Sequence, residues 1–468
     1  MLSEGRLREG AFTSVLDRTV AARGIGLDGP VDARPVTQAE LTGILQDALD
    51  AEFPEGELED YERALTTVGL WPPDTRLRDV FLEVMTQEVA GLYVPADAAL
   101  YVVTDVDLPV TLRVASALLM RDLMMELSLA HEVVHLLQHR RYPELFDPDT
   151  ALDRQDDLGN AVQAALEGDA TRYGFEALGV PVGSVTPSSL REQVDRELSS
   201  DDGALAEAPL LLRLTLGFPY IEGYAMSFAE GRNLLEDPPA STEQVMHPDR
   251  RHQAFTMLDL PEADLPTGCR VVHENTFGEL YTSVLFRDLG ADLDPPLHPE
   301  VWEGWDGDRY LVAACGDRFE LVWVTLWDSP EDAEDFAIGY RRIAERVAAR
   351  AGFADVPAIR SRGSEAIVVS QGLATSVEIL TANSRRARVS RRSEAHAVAL
   401  DFALSASPPT GKARNAVRSG PFGELRAGCF YGQAVKSRYA ALDGPGTPAP
   451  NCARKIRKSL PATMPSPE

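Results

Sequence analysis

His131-Glu132-Val133-Val134-His135 lies inside a run from Leu112 to Arg140 that contains neither Gly nor Pro. Without those breakers the run is expected to be helical, and on a helix residues four apart share one face. Both imidazoles can then bind one Zn²⁺, with Glu132 beside them to hold an attacking water. Working outward, Met124, Leu127, Ser128, His131, His135 and Gln138 recur at three- and four-residue steps, which sets the two histidines on a stripe of buried-type side chains. Chance explains the pattern poorly. Eight His among 468 residues give a His pair at this spacing with Glu second in roughly one chain in a hundred.

A catalytic zinc takes three protein ligands and keeps a fourth position for water, so the box needs completing from elsewhere. Glu167 is the candidate. It sits in the small-residue helical run Ala161-Val162-Gln163-Ala164-Ala165-Leu166-Glu167-Gly168-Asp169-Ala170, where an unpaired carboxylate is costly and a metal would offset the cost. Asp147, Asp149, Asp153, Asp156 and Asp157 compete by sequence distance, but they fall in a Pro-containing acidic stretch that reads as a solvated loop. Asp169, two residues past Glu167, points to another helix face and ranks low as a partner that orients a ligating imidazole. A tetrahedral intermediate also needs an oxyanion donor. Tyr220, Tyr224 and His247 are available, and Tyr220 and His247 are the ones expected to serve. Ser241 with Gln244 three residues on reads as a capping box, which places His247 in the second turn of a helix that Pro248 shortens.

A helical HExxH followed on a later helix by Glu-Gly resembles the gluzincin branch of zinc metallopeptidases. The closer likeness is to a bacterial group of largely uncharacterised zinc metallopeptidases. Its marks appear as Gly91-Leu92-Tyr93, Ala130-His131-Glu132, Leu166-Glu167-Gly168-Asp169-Ala170, Phe218-Pro219-Tyr220, Ser241-Thr242-Glu243-Gln244 with His247-Pro248, and Gly304-Trp305-Asp306-Gly307-Asp308-Arg309-Tyr310. The resemblance covers roughly residues 23–340 and departs in one respect: about thirty residues separate His135 from Glu167, more than in the best-known gluzincins. It implies a zincin-like fold, Zn²⁺ held by His131, His135 and Glu167, Glu132 as general base, and a peptide or protein substrate. The rival reading is a catalytically inactive zincin-fold metal-binding scaffold or interaction protein. Glu132 speaks for the enzyme, since a scaffold needs no base there.

The net charge of −28 is uneven: from Arg341 onward 21 Lys/Arg face 9 Asp/Glu, while the remainder holds 24 against 64. An acidic body disfavours nucleic acid and anionic membrane and draws in cationic peptides. Cys269, Cys315, Cys429 and Cys452 lack CxxC spacing and do not read as metal ligands. Cys429 and Cys452 can close a loop in an oxidising compartment, with buried free thiols the equal alternative. No apolar run reaches the roughly eighteen residues of a membrane span, and residues 1–10 lack an apolar signal core. The chain as given is expected in the cytoplasm, or exported if its true start lies upstream; oligomeric state is left open.

The expected fold class is α+β: a mostly helical zincin-like domain with a small β-hairpin, then a smaller α+β domain. A helical segment covers residues 1–75, the metallopeptidase-like domain 76–290, the accessory domain 295–443 and a disordered tail 444–468. Helices are expected at Gln38–Glu52 after the Thr37 cap, Leu77–Ala90, through Glu167, at Glu192–Leu198 and at Phe218–Leu235. Gly91–Val94 and Leu100–Val103 around Pro95-Ala96-Asp97-Ala98 read as a hairpin. Further on, Arg309–Ala314 and Phe319–Trp327 read as strands and Ser329-Pro330-Glu331-Asp332 opens a helix that Gly352 stops. Ala366–Ser370, Val377–Thr381 and Ala397–Leu404 are expected as later strands. Trp305, Asp306, Asp308 and Arg309 read as turn and core rather than as a binding corner.

Overall fold

The computed structural model describes residues 2–3, 6–53, 56–105, 123–146, 155–181, 183–198 and 203–405 of the chain. Helix α1 (Glu9–Arg23) stops where Gly24 turns left-handed, with φ 74°. After strand β1 (Asp32–Val36), helix α2 (Gln38–Glu52) opens on a full capping box: the Thr37 side chain accepts from Glu40 N, and the Glu40 carboxylate accepts from Thr37 N at 2.7 Å. Helices α3 (Glu57–Thr67) and α4 (Leu77–Glu88) lead into the hairpin of β2 (Gly91–Val94) and β3 (Ala99–Val103). Those two strands pair antiparallel as expected, and β1 adds to β3 in parallel, a strand that sequence reading does not foresee. The intervening helices supply the long crossover that parallel pairing needs.

Helix α5 (Leu123–Arg141) carries the HExxH box; the earlier part of the expected run lies outside the described residues. Helix α6 (Asp156–Ala177) is buried along nearly its whole length, because α1 and α5 and the segment from Pro219 to Glu230 pack around it. Asp156 and Asp157 are therefore not solvated loop residues; both are buried in its first turn. The other three aspartates of that stretch lie outside the described residues. Helices α7 (Pro187–Leu198) and α8 (Leu210–Phe218) follow. The single helix expected over Phe218–Leu235 is instead a π turn (Pro219–Gly223), helix α9 (Tyr224–Glu230) and a 3₁₀ stretch (Gly231–Glu236). Pro219 lacks the N–H that a regular helix would use. Helix α10 (Thr242–Met246) begins at Ser241, whose side chain accepts from Gln244 N, but the Gln244 side chain accepts from Ala240 N, so the box is half formed. His247 is the residue just past this helix, not part of a second turn.

The remaining elements are β4 (Phe255–Asp259), β5 (Cys269–Asn275), α11 (Gly278–Leu289), β6 (Trp305–Cys315), β7 (Arg318–Trp327), α12 (Pro330–Ala351), β8 (Ala358–Arg362), β9 (Glu365–Val369), α13 (Val377–Asn383), β10 (Arg385–Val389) and α14 (Arg392–Ser405). A five-stranded antiparallel sheet runs β8-β9-β7-β6-β5, and β10 pairs with β4. Both sheets thus draw a strand from before residue 290. The Ser329 cap and the Gly352 stop of α12 are in place. Two segments expected as strands are helices, α13 and α14. In α13, Val377 and Leu380 are buried and Ile379 is exposed, a three-residue step that overrides β-branched propensity. Asp308 sits in the core, accepting from Phe277 N and Gly278 N at 2.9 Å each and from the Trp305 and Trp323 indoles. Cys269 and Cys315 face each other across β5 and β6 and form a disulfide, so they are not free thiols. Cys429, Cys452 and the expected tail lie outside the described residues. The fold is α+β, and among the described residues no helix is long and apolar enough to cross a membrane.

Candidate metal centre

Helices α5 and α6 cross so that His131, His135 and Glu167 meet in the interior, all fully buried. His131 Nε2 lies 3.0 Å from Glu167 Oε2 and 3.0 Å from His135 Nε2, and His135 Nε2 lies 3.4 Å from the same carboxylate oxygen. Two nitrogens and one oxygen converge on a point that a single proton cannot satisfy three ways, and the group could hold a metal ion. Burial lowers the His131 imidazole to about 4, which keeps it neutral. Burial by itself would raise Glu167, but the two imidazoles outweigh it and hold the carboxyl below its usual value. Neutral imidazole and ionised carboxylate are the ligating forms.

Each donor is oriented by a neighbour. Gln163, one turn before Glu167 on the same helix, donates to its other oxygen at 2.8 Å. Gln138, on the His135 face of α5, bonds His135 Nδ1 through Oε1 at 2.8 Å. Asp169, which sequence reading ranks low because it points away from Glu167, accepts from Gln138 Nε2 at 2.8 Å and so reaches His135 through one intermediary. Of these partners Gln138 stands in the stripe read from the sequence, whereas Gln163 was not singled out there although it lies four residues before Glu167; the role of Asp169 needed the helix crossing.

Glu132, next to His131 on α5, reaches toward strand β2. Its Oε2 accepts from Tyr93 N on β2 at 2.8 Å, and its Oε1 is buried with no hydrogen-bond partner among the described residues. Burial, with the Glu167 charge second, raises its carboxyl well above the usual range. Tyr220, in the π turn, stacks on His131 with ring centroids 6.1 Å apart. Tyr224 instead donates to Val185 O at 2.8 Å.

Gly168 explains how the π turn comes so close to Glu167. A Cβ at Gly168 would lie 2.0 Å from Gly223 O, and one at Gly223 would lie 1.9 Å from Ala164 O. Gly168→Ala must push the backbones apart, with an expected loss of about 2–3 kcal/mol in chemical denaturation and a lowered metal content, since the neighbouring Glu167 moves with it.

His247 is placed elsewhere. Its Nε2 bonds Glu279 Oε1 at 2.7 Å, in a polar cluster with Glu243 and Arg250. Glu279 opens α11 beside Asp157, ten residues or about 15 Å along α6 from Glu167. Here Asp157 accepts from Thr242 N at 3.0 Å and from the Thr242 hydroxyl. Burial pushes Asp157 up from 3.8 to about 7 and Glu243 up to about 8. A carboxyl raised on folding holds a proton that the unfolded chain has released, so its contribution is intact below the unfolded value and declines as pH climbs toward the folded one. The contribution of these two carboxyls to stability is therefore expected to fall between about pH 4 and pH 8. Asp157→Asn, which keeps the acceptor for Thr242, should raise Tm at pH 8 and leave it nearly unchanged near pH 4. A pH-independent change in calorimetry would contradict this.

Residues 268–391, from just before β5 to just after β10, match the family model described as Domain of unknown function (DUF8575). That span contains none of the three converging donors. No curated protein and no solved structure matches the chain.

Proposed function

We propose that the protein is a zinc-dependent peptide-bond hydrolase, zincin-like around α5 and α6 and gluzincin-like in its use of His131, His135 and Glu167. The observation that carries this reading is Glu132, next to His131 in the chain, with one oxygen tied to Tyr93 N and the other buried without a partner among the described residues. Leaving a buried acceptor unpaired costs about 1–3 kcal/mol, a cost that a scaffold has no reason to keep and a general base does. His131, His135 and Glu167 would hold the ion, and an N, N, O donor set is of the zinc type.

Bound zinc supplies Lewis acidity that polarises the scissile carbonyl and acidifies a water beside it. A cation held by His131, His135 and Glu167 would offset the burial and the Glu167 charge that raise the Glu132 carboxyl and favour its ionised form; in that form Oε1 takes the proton of the attacking water and returns it to the leaving amine. The Tyr93 N–H keeps the carboxylate from rotating away during that transfer. Tyr220, against His131, is the residue assigned to donate to the developing oxyanion. A peptide substrate is suggested by β2, which pairs with β3 along one edge and has no strand on its other edge among the described residues; an extended peptide added there would pair through groups other than the Tyr93 N–H, which Glu132 holds. An acidic body favours cationic peptides.

The test is elemental analysis of the purified protein together with cleavage of a denatured-protein or peptide pool, with and without chelator. One zinc per chain and chelator-sensitive cleavage are expected. Zinc without any hydrolysis would favour an inactive metal-binding scaffold.

A further inference from the structure

Arg23 is the last residue of α1, more than a hundred residues from the HExxH box, and it is buried. Its Nε donates to Asp169 Oδ2 at 2.7 Å, and its guanidinium lies 4.9 Å from the centre of the Tyr173 ring. Arg232 ties down this end of α1 by donating to Ala22 O. A buried ion pair loses to desolvation much of what it gains in attraction. Here the balance is worse, because Arg23 Nη2 and Asp169 Oδ1 are buried without partners among the described residues. Stability alone is a weak reason for such a pair.

Its effect on the next residue is specific. Gln138 Nε2 donates to Leu166 O at 3.0 Å and to Asp169 Oδ2 at 2.8 Å. Both are acceptors only, so the amide can face them just one way round. Gln138 Oε1 must then face His135 Nδ1, and Nδ1 must carry the ring proton. The lone pair is left on Nε2, the atom aimed at His131 and Glu167. Reversing the amide would set Nε2 against Nδ1 and favour the tautomer that cannot ligate at Nε2.

We propose that Arg23 is a positioning residue of the metal centre, acting through Asp169 and Gln138 to hold His135 in its ligating tautomer, so that the N-terminal helix is part of the site. This rests on the metal-binding part of the reading above. Orienting partners of ligating histidines are typically worth about 10–100-fold in metal affinity.

The experiment uses the full chain. Zinc affinity is measured by competition with a chromophoric chelator, and the Co²⁺-loaded protein is followed by its visible absorption. Gln138→Leu and Arg23→Met are each expected to weaken zinc binding about 10–100-fold and to alter the Co²⁺ bands, while Arg23→Lys recovers most of the affinity. Because Arg23 acts through Gln138, the double variant should be no weaker than the worse single one. Should Arg23→Met not fold, Arg23→Gln, which keeps a donor but removes the charge, takes its place with an expected loss of about tenfold. Unchanged affinity in Gln138→Leu or in the folded Arg23 variant overturns the proposal, as do losses that simply add. A native chain that binds no metal at all refutes the functional reading itself, a different result from native binding with indifferent variants.

Discussion

Glu132→Gln should lower kcat on a peptide substrate by at least about 10²–10⁴-fold, the range for loss of a general base, while leaving metal content at the native level. The two halves of that result come from the two carboxylate oxygens. Oε2 accepts from Tyr93 N at 2.8 Å, and the glutamine carbonyl can take over that bond, so the side chain stays in place. The amide nitrogen then occupies the position of Oε1 and cannot accept a proton. Glu132 is not among the three donors that converge, so zinc should stay. Steady-state kinetics and elemental analysis on the same preparation check both halves. Retained turnover would remove Glu132 from the chemistry; lost metal would make it a ligand.

Glu167→Ala should have the opposite profile, losing metal first and activity as a consequence. Structural zinc sites are worth about 10–16 kcal/mol over four ligands, or roughly 2.5–4 kcal/mol for each. Removing one ligand should therefore weaken binding by roughly two to three orders of magnitude. A ligand that binds only the folded state raises Tm. The native chain should melt at a higher temperature with zinc than with chelator, and Glu167→Ala should erase most of that gap. A variant that keeps one tightly held zinc would mean that the downstream acid lies beside the metal without gripping it. Neither profile depends on the substrate, so both can be measured before a physiological substrate is in hand.

Which parts of the chain could be read in advance follows from the range of the forces involved. Helix α2 was legible because its capping box is complete within four residues, Thr37 to Glu40. The hairpin was legible because two β-prone runs flank a turn. The failures are just as local. Val398, Leu400, Phe402 and Leu404 alternate like a strand, yet the segment is α14; alanines at 395, 397 and 399 favour helix, and the Glu394 carboxylate folds back to accept from Ser390 N at 2.7 Å. That serine and glutamate were the overlooked start signal. The pairing of β10 with β4 joins residues about 130 apart, and no local pattern announces it.

The amino-acid sequence on its own determined that two imidazoles share a helix face with a carboxylate between them, because the 3.6-residue period is a property of the backbone and needs no partner. It also set the acidic charge of the body and supplied a carboxylate on a second small-residue helix. The approach of that carboxylate to both imidazoles was decided only by the tertiary structure, through the packing of α5 against α6, where Gly174 lets the His131 backbone lie close. So was the chain of bonds from Arg23 to His135, whose members come from three helices. Periodicity is encoded between near neighbours, whereas convergence depends on packing between elements far apart in the chain, where burial and exclusion of water fix which polar groups must find one another.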